Sequence, residues 1–307
     1  MIDESTTKSA NQPLVSVVVI TYNSSKYVLE TLESIKDQTY KNIEQVVSDD
    51  CSTDNTVSVV EDWVEKNKDR FVAVEVVKVL ANTGIAPNCN RGLYVSRGEW
   101  IKLIAGDDLL LPNCISESIH YLNNDNNINV VFSRMMLMTD GKISISSYPL
   151  DWQLDFFLLS AADQNKLLVL RNYVWLAPAA FMRRVIMNQP VYFDEKYPFC
   201  EDYPLWFRLT ASGVRLHYFD KYTVVYRQGS SVSRSNDKWW NINYYRSVRN
   251  FYFMERRIMI KDKKLLIKHS IFFILQDILI LVFKNKRSFM ARKFNRIYCR
   301  LLHPVPP

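Results

Sequence analysis

Residues 14–23 read LVSVVVITYN, and this stretch decides the fold class. The run from Val15 to Thr21 is almost entirely β-branched and apolar, which is typical of a strand buried on both faces of a sheet. Strands of this kind occur where helices cover both faces. The next stretch carries apolar residues at three- and four-residue spacing, which predicts such a helix: Val28, Leu29, Leu32 and Ile35.

The same alternation continues through three more strand-like runs. They are NIEQVVSDD at 42–50, FVAVEVVKV at 71–79 and EWIKLIAGDD at 99–108, and helical stretches near Asp54 and Gly84 separate them. Strands that alternate with helices predict right-handed βαβ units, hence an α/β fold with a mostly parallel sheet. The chain has neither G-x-G-x-x-G nor G-x-x-x-x-G-K-[ST], so a dinucleotide fold and a P-loop are not predicted.

Polar side chains follow all four predicted strands. They are Tyr22–Asn23, Asp49–Asp50, Asn82 with Gly84, and Asp107–Asp108. Ligands of such sheets bind beyond the carboxyl ends of the strands, so these side chains are expected at one site. Adjacent carboxylates on a turn are either solvated or hold a cation, and four polar strand ends favour the cation. Carboxylate oxygens are suitable ligands for Mg²⁺ or Mn²⁺. Because the chain has no Gly-rich phosphate-binding loop, a bound diphosphate would need such a metal ion to neutralise its charge.

Three stretches carry a family resemblance. They are VSVVVITYNSSKYVLETLESIKDQTYKNIEQVVSDDCSTDNT, NTGIAPNCNRGLYVSRGEWIKLIAGDD and CEDYPLWFRL, which begin at residues 15, 82 and 200. Over residues 14 to about 233 the chain resembles the inverting family 2 glycosyltransferases of GT-A fold. The resemblance implies a Rossmann-like nucleotide-diphospho-sugar transferase domain at 14–235. A flexible N-terminus at 1–13 and a helical C-terminal region at 236–307 are expected around it.

The resemblance also implies roles for residues at the predicted edge. Nucleotide contacts are expected from Thr21, Tyr22, Asn23, Asp50, Asn82, Asn90 and Asp107, with Asp107 on the ribose. Asp108 is expected to bind the metal that bridges the diphosphate, and Asp202 to act as catalytic base. Glu201 and Arg227 are expected to contact the diphosphate or the acceptor. The chain departs from the family pattern at two places: Gln228–Gly229 follow Arg227 where many members have a His, and Ala105 replaces the first Asp of a D-x-D-D form.

The predicted chemistry is a single displacement at the anomeric carbon of a nucleotide sugar. A base must take the proton of the acceptor hydroxyl on the face opposite the leaving diphosphate. Asp202, on an element separate from the paired aspartates, meets that requirement, and a divalent metal would act as Lewis acid. The alternative for Glu201–Asp202 is an ordinary acidic helix start favoured by the helix dipole.

The termini and the cysteines bear on location. The N-terminus, MIDESTTKSANQP, lacks the basic and apolar regions of a secretory signal. Five cysteines without C-x-x-C pairs suit a reducing compartment, and four histidines show no zinc spacing. These features predict a cytoplasmic protein.

The C-terminal region is basic around an apolar centre. From Glu255 to Arg300 there are thirteen Lys or Arg and three acidic residues, while the whole chain has a net charge of +7. The apolar run IFFILQDILILVF at 271–283 is shorter than the roughly 20 residues that span a bilayer. It predicts an interfacial helix on the inner face of the membrane. The alternative is packing on the catalytic domain or in a homodimer.

Three functions from different classes are compatible with these patterns. The first is a glycosyltransferase that extends a bacterial surface glycan on a lipid diphosphate. One or two of the tryptophans at 152, 175, 206, 239 and 240 are then expected to stack on sugars. The second is a nucleotidyltransferase, disfavoured because Asp107–Asp108 lead toward a Pro-started helix and aromatic-basic nucleic-acid signatures are missing. The third is a catalytically silent sugar-nucleotide-binding protein, which the joint retention of Asp50, Asp107, Asp108 and Asp202 disfavours.

Overall fold

The computed structural model describes residues 12–187, 192–228 and 238–302. These residues form a nine-stranded sheet with helices around it. The strands are β1 (Val15–Thr21), β2 (Ile43–Asp49), β3 (Ala73–Lys78), β4 (Trp100–Ala105), β5 (Leu109–Leu110), β6 (Val130–Thr139), β7 (Lys142–Tyr148), β8 (Ala180–Arg183) and β9 (Leu216–Gln228). The helices are α1 (Val28–Lys36), α2 (Thr56–Asn67), α3 (Ile85–Val95), α4 (Cys114–Leu122), α5 (Asp151–Leu158), α6 (Ala161–Leu170), α7 (Asp202–Ala211), α8 (Ile242–Phe251), α9 (Lys263–Leu281) and α10 (Phe289–Leu302).

The first four strands are parallel, in the order β3-β2-β1-β4. The β-branched residues of β1 are buried because this strand lies between two others and under helices on both faces. The α/β prediction is confirmed, and the helices fall where the spacing predicted them. The N-cap residue of α2 is Asn55, and the preceding Asp54 accepts a hydrogen bond from the backbone N–H of Thr56 at 3.0 Å.

The remaining strands make the sheet mixed, which the sequence did not predict. β8 pairs antiparallel with both β4 and β6, while β6 pairs parallel with β9 over its whole length. β9 then pairs antiparallel with β5, directly after the Asp107–Asp108 turn. The pairing of β9 with β5 therefore brings the end of β9, which contains Arg227, to the carboxyl end of β4.

The C-terminal helices pack on one another, and the ring of Phe251 in α8 packs on Tyr203 and Phe207 of α7. Phe272, Phe273 and Leu279 of α9 are buried, and the ring of Phe273 lies 4.8 Å from that of Tyr252. The predicted apolar run is therefore partly core. Among the described helices, none combines the length and apolar character that crossing a bilayer requires. The expected boundary at 235–236 and residues 1–11 of the expected flexible N-terminus lie outside the described residues.

Candidate active site

The Asp107–Asp108 turn follows β4 and is held by Arg227 at the end of β9. The backbone N–H of Arg227 donates to Oδ1 of Asp108 at 2.8 Å, and its Nε donates to the carbonyl of Asp107 at 2.8 Å. Its guanidinium also pairs with Glu30 at 2.6 Å and lies 4.1 Å from the ring centroid of Tyr27. The predicted diphosphate or acceptor contact, Arg227, thus fixes the turn in this structure. We call this arrangement the Arg227 clamp.

The two carboxylates of this turn differ in burial. Asp108 is 1% exposed, and its Oδ2 has no hydrogen-bond partner among the described residues, whereas Asp107 is only partly buried. Burial, and next the neighbouring Asp107, raise the pKa of Asp108 well above its ordinary value. An orphaned carboxylate oxygen beside a second carboxylate is a donor set that fits Mg²⁺ or Mn²⁺, with phosphate oxygens completing the shell. Within the described part of the chain, no group of three or more His, Cys, Asp or Glu is arranged so that it could hold a metal ion without further ligands.

Asp50 organises the loop between β3 and α3. Its carboxylate accepts hydrogen bonds from the backbone N–H of Thr83 at 3.0 Å and of Gly84 at 2.8 Å, and it pairs with Arg91 at 2.6 Å. Gly84 has φ 103°, a conformation that favours glycine. Asp50 thereby places the exposed Asn82 at the edge. Arg91 was missed in the sequence, where nothing marks an Arg on α3 as the partner of an acid 41 residues earlier.

The three residues at the end of β1 have different surroundings. Thr21 is buried, and its hydroxyl donates to Oδ2 of Asp49 at 2.7 Å. The Asn23 amide oxygen accepts from the backbone N–H of Thr53 at 2.8 Å, and Asn23 has φ 52°. Tyr22 is 49% exposed. Thr21 therefore shapes the edge from within, while Tyr22 and Asn23 are both exposed there.

Asn90 links α3 to the segment that leads into α7. Its amide donates to the carbonyl of Phe193 at 2.9 Å and to Glu195 at 2.8 Å, and it accepts from the backbone N–H of Phe193 at 2.8 Å. These bonds use the hydrogen-bonding capacity of the buried side chain. The predicted nucleotide contact of Asn90 stays a prediction, since its amide faces this segment.

Glu201 and Asp202 open α7 beside the start of α3. Near this point the backbone N–H of Ala86 donates to the carbonyl of Pro198 at 3.1 Å, which ties the segment before α7 to the carboxyl edge. Both acidic residues are partly buried. Burial raises the pKa of both carboxyls, and the charge of Asp202 raises that of Glu201 further. The pair is therefore expected to share one proton near neutral pH, as adjacent carboxyls with raised pKa values do.

The C-terminal region supports this second acidic pair from behind. Oδ1 of Asp202 accepts from the backbone N–H of Tyr203 at 2.7 Å, and the guanidinium of Arg256 lies 4.7 Å from the Tyr203 ring centroid. Arg256 is fully buried and donates to the carbonyls of Val169 and Leu170 at 3.0 and 2.6 Å. The sequence placed Arg256 in the basic tail, where nothing distinguishes it from the exposed basic residues.

The comparisons with known proteins agree with this geometry. Residues 16–168 match the family model described as Glycosyl transferase family 2. An uncharacterised glycosyltransferase of Haemophilus influenzae is 28% identical over 249 residues, which cover 76% of this chain and 75% of that protein. The Escherichia coli UDP-Glc:alpha-D-GlcNAc-diphosphoundecaprenol beta-1,3-glucosyltransferase WfaP is 26% identical over 228 residues, or 73% of this chain and 82% of WfaP.

Two solved structures share the fold. S. aureus TarS 1–349 in complex with UDP-GlcNAc has a TM-score of 0.60 at 19% identity, covering 92% of this chain and 78% of TarS. The mannosyltransferase PcManGT from Pyrobaculum calidifontis, in complex with GDP-Man and Mn²⁺, has a TM-score of 0.58 at 18% identity. That match covers 96% of this chain and 82% of PcManGT. At this level of identity the two structures establish the GT-A-like fold alone.

Proposed function

Because the chain belongs to glycosyltransferase family 2, we propose that it transfers a sugar from a UDP-linked donor to a hydroxyl group of a glycan acceptor, with inversion. One observation carries the proposal: two acidic pairs lie at the same edge on separate elements. Asp107–Asp108 follow β4, and Glu201–Asp202 open α7 beside the start of α3. In-line displacement needs such a separation, because the leaving group and the base act on opposite faces of the sugar.

Donor binding is assigned to the edge formed by β1 to β4. The exposed ring of Tyr22 is suited to stacking on uracil, and the loop that Asp50 organises places Asn82 nearby. Asp108, with Asp107 beside it, is assigned to a divalent metal, supported by the orphaned Oδ2. When bound, Mn²⁺ or Mg²⁺ would neutralise the diphosphate and stabilise the leaving group as a Lewis acid.

Asp202 is assigned as the base that takes the acceptor proton. Its raised pKa brings its basicity closer to the operating pH than that of an ordinary aspartate, which favours proton transfer. Glu201, with the higher pKa of the pair, holds the shared proton when Asp202 is ionised. Tyr203 donates its backbone N–H to Asp202, which orients the carboxylate at the helix start.

The acceptor is proposed to be a glycan on a lipid diphosphate, in the synthesis of a bacterial surface polysaccharide such as an O antigen or capsule. The printed name of WfaP describes a UDP-Glc donor and a GlcNAc-diphosphoundecaprenol acceptor for that relative. A cytoplasmic enzyme with such an acceptor works at the inner face of the membrane. A membrane-facing surface is therefore expected on the chain.

We assign that surface to the outer face of α9. Ile267, Ile274 and Leu281 recur every seven residues, so they lie along one side of the helix, and they are 60%, 56% and 77% exposed. Exposed lysines, including Lys264 and Lys268, flank them. An exposed apolar row beside positive charge suits the headgroup region of an anionic membrane. A homodimer interface is the competing use of the same row.

Ligand-dependent stabilisation tests donor binding first. The full chain is heated with Mn²⁺ and UDP-Glc, UDP-GlcNAc or GDP-Man, because a ligand that binds only the folded state raises the melting temperature. We expect stabilisation by a UDP sugar and formation of the opposite anomer on a short-chain GlcNAc-diphospholipid, read by NMR. Retention of the donor configuration, or no stabilisation by any nucleotide sugar, would contradict the proposal.

Substitutions test the membrane surface better than truncation, because removal of α9 would uncover the buried rings of Tyr245 and Tyr252, which lie against Phe273. The triple variant Ile267→Ser, Ile274→Ser, Leu281→Ser should lose sedimentation with phosphatidylglycerol vesicles and keep donor binding. Phosphatidylcholine vesicles are the neutral control. If the variant instead changes only the oligomeric state, the row is a dimer interface.

A further inference from the structure

Two of the seven tryptophans are exposed, and they touch each other. Trp152 is 43% exposed and Trp175 is 45% exposed, while the other five are buried or partly buried. The two rings meet edge to face with centroids 5.9 Å apart, and the ring of Tyr148 lies 6.3 Å from that of Trp175. We call these three residues the aromatic platform. Exposed aromatic surface of this kind marks a binding site more often than isolated exposed apolar residues do.

The platform is held rigidly although its rings are exposed. The buried Gln153 of α5 donates its amide N–H to the carbonyl of Tyr173 at 2.7 Å, which joins the helix of Trp152 to the segment of Trp175. The Arg171 guanidinium lies 4.8 Å from the Trp152 ring centroid and 4.5 Å from that of Tyr173. The rings therefore lose little conformational entropy when a ligand covers them.

The chain segment that carries Trp175 runs between the two acidic pairs. At its start, the hydroxyl of Tyr203, the residue after Asp202, donates to the carbonyl of Leu168 at 2.6 Å. At its end, Nζ of the buried Lys102 on β4 donates to the carbonyl of Pro178 at 2.6 Å. Because β8 runs antiparallel to β4, the residues before β8 extend past the carboxyl end of β4, where Asp107 lies. The platform thus adjoins the edge where donor and base are assigned.

From this placement we infer that the aromatic platform binds a pyranose unit of the acceptor glycan. The inference rests on the proposed function and adds to it the acceptor side of the site. A pyranose presents an apolar C–H face that an indole ring can cover, while its hydroxyl rim stays hydrated or bonds to polar groups. The acceptor hydroxyl must reach Asp202, so its saccharide has to lie beside the α7 start. A protein partner at this place would block that approach.

Saturation-transfer NMR on the full chain tests the inference. The probes are tetrasaccharides of glucose and of N-acetylglucosamine, added with UDP and Mn²⁺. At least one should receive saturation from the wild type, and the transfer should fall roughly five- to tenfold in Trp175→Ala and Trp152→Ala. Trp175→Phe should restore most of it, because a ring remains. Leu158→Ala is the matched control, since Leu158 lies on the same helix as Trp152 and is 76% exposed.

Binding of UDP, measured by calorimetry, separates this inference from the proposed function. UDP affinity should be equal in the wild type and in the two alanine variants. Suppose that UDP binds normally but neither tetrasaccharide receives saturation, or that saturation transfer is unchanged in both alanine variants. Either result would overturn the saccharide-binding role of the platform and leave the proposed function standing. Absence of UDP binding in the wild type would overturn the proposed function and the platform with it. A changed oligomeric state in Trp175→Ala would mean that the rings face a second copy of the chain.

Discussion

Two of the adjacent acidic pairs at the site, Asp107–Asp108 and Glu201–Asp202, have different surroundings. Asp107–Asp108 lie on a turn that Arg227 clamps through both its backbone and its guanidinium. Glu201–Asp202 open a helix, and none of the ion pairs among the described residues includes either of them. A pair with a buried, unpartnered oxygen and a fixed backbone is suited to hold a cation. A pair that forms no ion pair within the described part of the chain is suited to hold a proton.

The comparison teaches that neighbouring carboxylates acquire a role from burial and partners rather than from their own chemistry. Burial raises the pKa of Asp108 and of Asp202 alike. A divalent metal would favour the ionised form of Asp108. Asp202 is instead assigned to accept the proton of the acceptor hydroxyl.

The largest effect is expected at the clamped pair. Asp108→Asn keeps the shape but removes the negative charge that a metal requires, so metal-stimulated transfer should be abolished. Turnover is measured with and without Mn²⁺ in the variant and in Asp62→Asn, an exposed acid on α2. If Asp108→Asn keeps full Mn²⁺-stimulated turnover, Asp108 does not hold the metal.

At the second pair, Asp202→Asn should lower kcat about 10²–10⁴-fold, the range expected for one general base. The variant cannot accept the proton of the acceptor hydroxyl, while the donor site is unchanged. Steady-state kinetics measure kcat and the KM for the donor together. A rise in donor KM with little change in kcat would place Asp202 in donor binding instead.

The clamp itself gives the next effect. Arg227→Lys keeps the charge and the backbone N–H but loses the planar group that donates to the Asp107 carbonyl and to Glu30 at the same time. Because the turn is then less fixed, the KM for the donor should rise about tenfold, in the range for a hydrogen bond to a charged group. The pH dependence of kcat should not move. A variant with normal donor KM would show that the clamp is dispensable.

The smallest effect is in the pH profile. Burial raises the pKa of Asp202 to about 6, and a base acts only when deprotonated, so kcat should fall as the pH drops through about 6. In Glu201→Gln, the pH at which kcat falls should change little, because burial is the main cause of the raised pKa of Asp202. The kcat profile is measured from about pH 3 to about pH 8, a range that includes the ordinary aspartate pKa of about 3.9. A limb near pH 4 in the wild type would contradict a buried base.

The sequence predicts the first half of the fold better than the second. β1 to β4 are local patterns, because a β-branched run or a helical spacing is visible within ten residues. The pairing of β6 with β9 joins residues about 90 positions apart, and no local pattern encodes it. The Arg227 clamp depends on that pairing, so the guanidinium contact to Asp107 could not be predicted.

At the site, the sequence identifies which residues reach the edge but not where their side chains bond. The order of strand ends predicts Asp50 at the edge, and the family resemblance adds Thr21 and Asn90. It does not predict that the Thr21 hydroxyl donates inward to Asp49 or that the Asn90 amide holds Phe193. The same limit hid Arg256, whose burial under Tyr203 follows from how the C-terminal helices pack.

Calorimetric titration of UDP with and without Mn²⁺, in Asp108→Asn and Asp202→Asn, tests the division between the two acidic pairs most directly. We predict that Asp202→Asn binds UDP with the affinity and the Mn²⁺ dependence of the wild type. Asp108→Asn should lose the Mn²⁺ dependence and bind more weakly. Equal loss of UDP binding in both variants would show that the two pairs form one nucleotide site, and would contradict the assignment of Asp202 as the base.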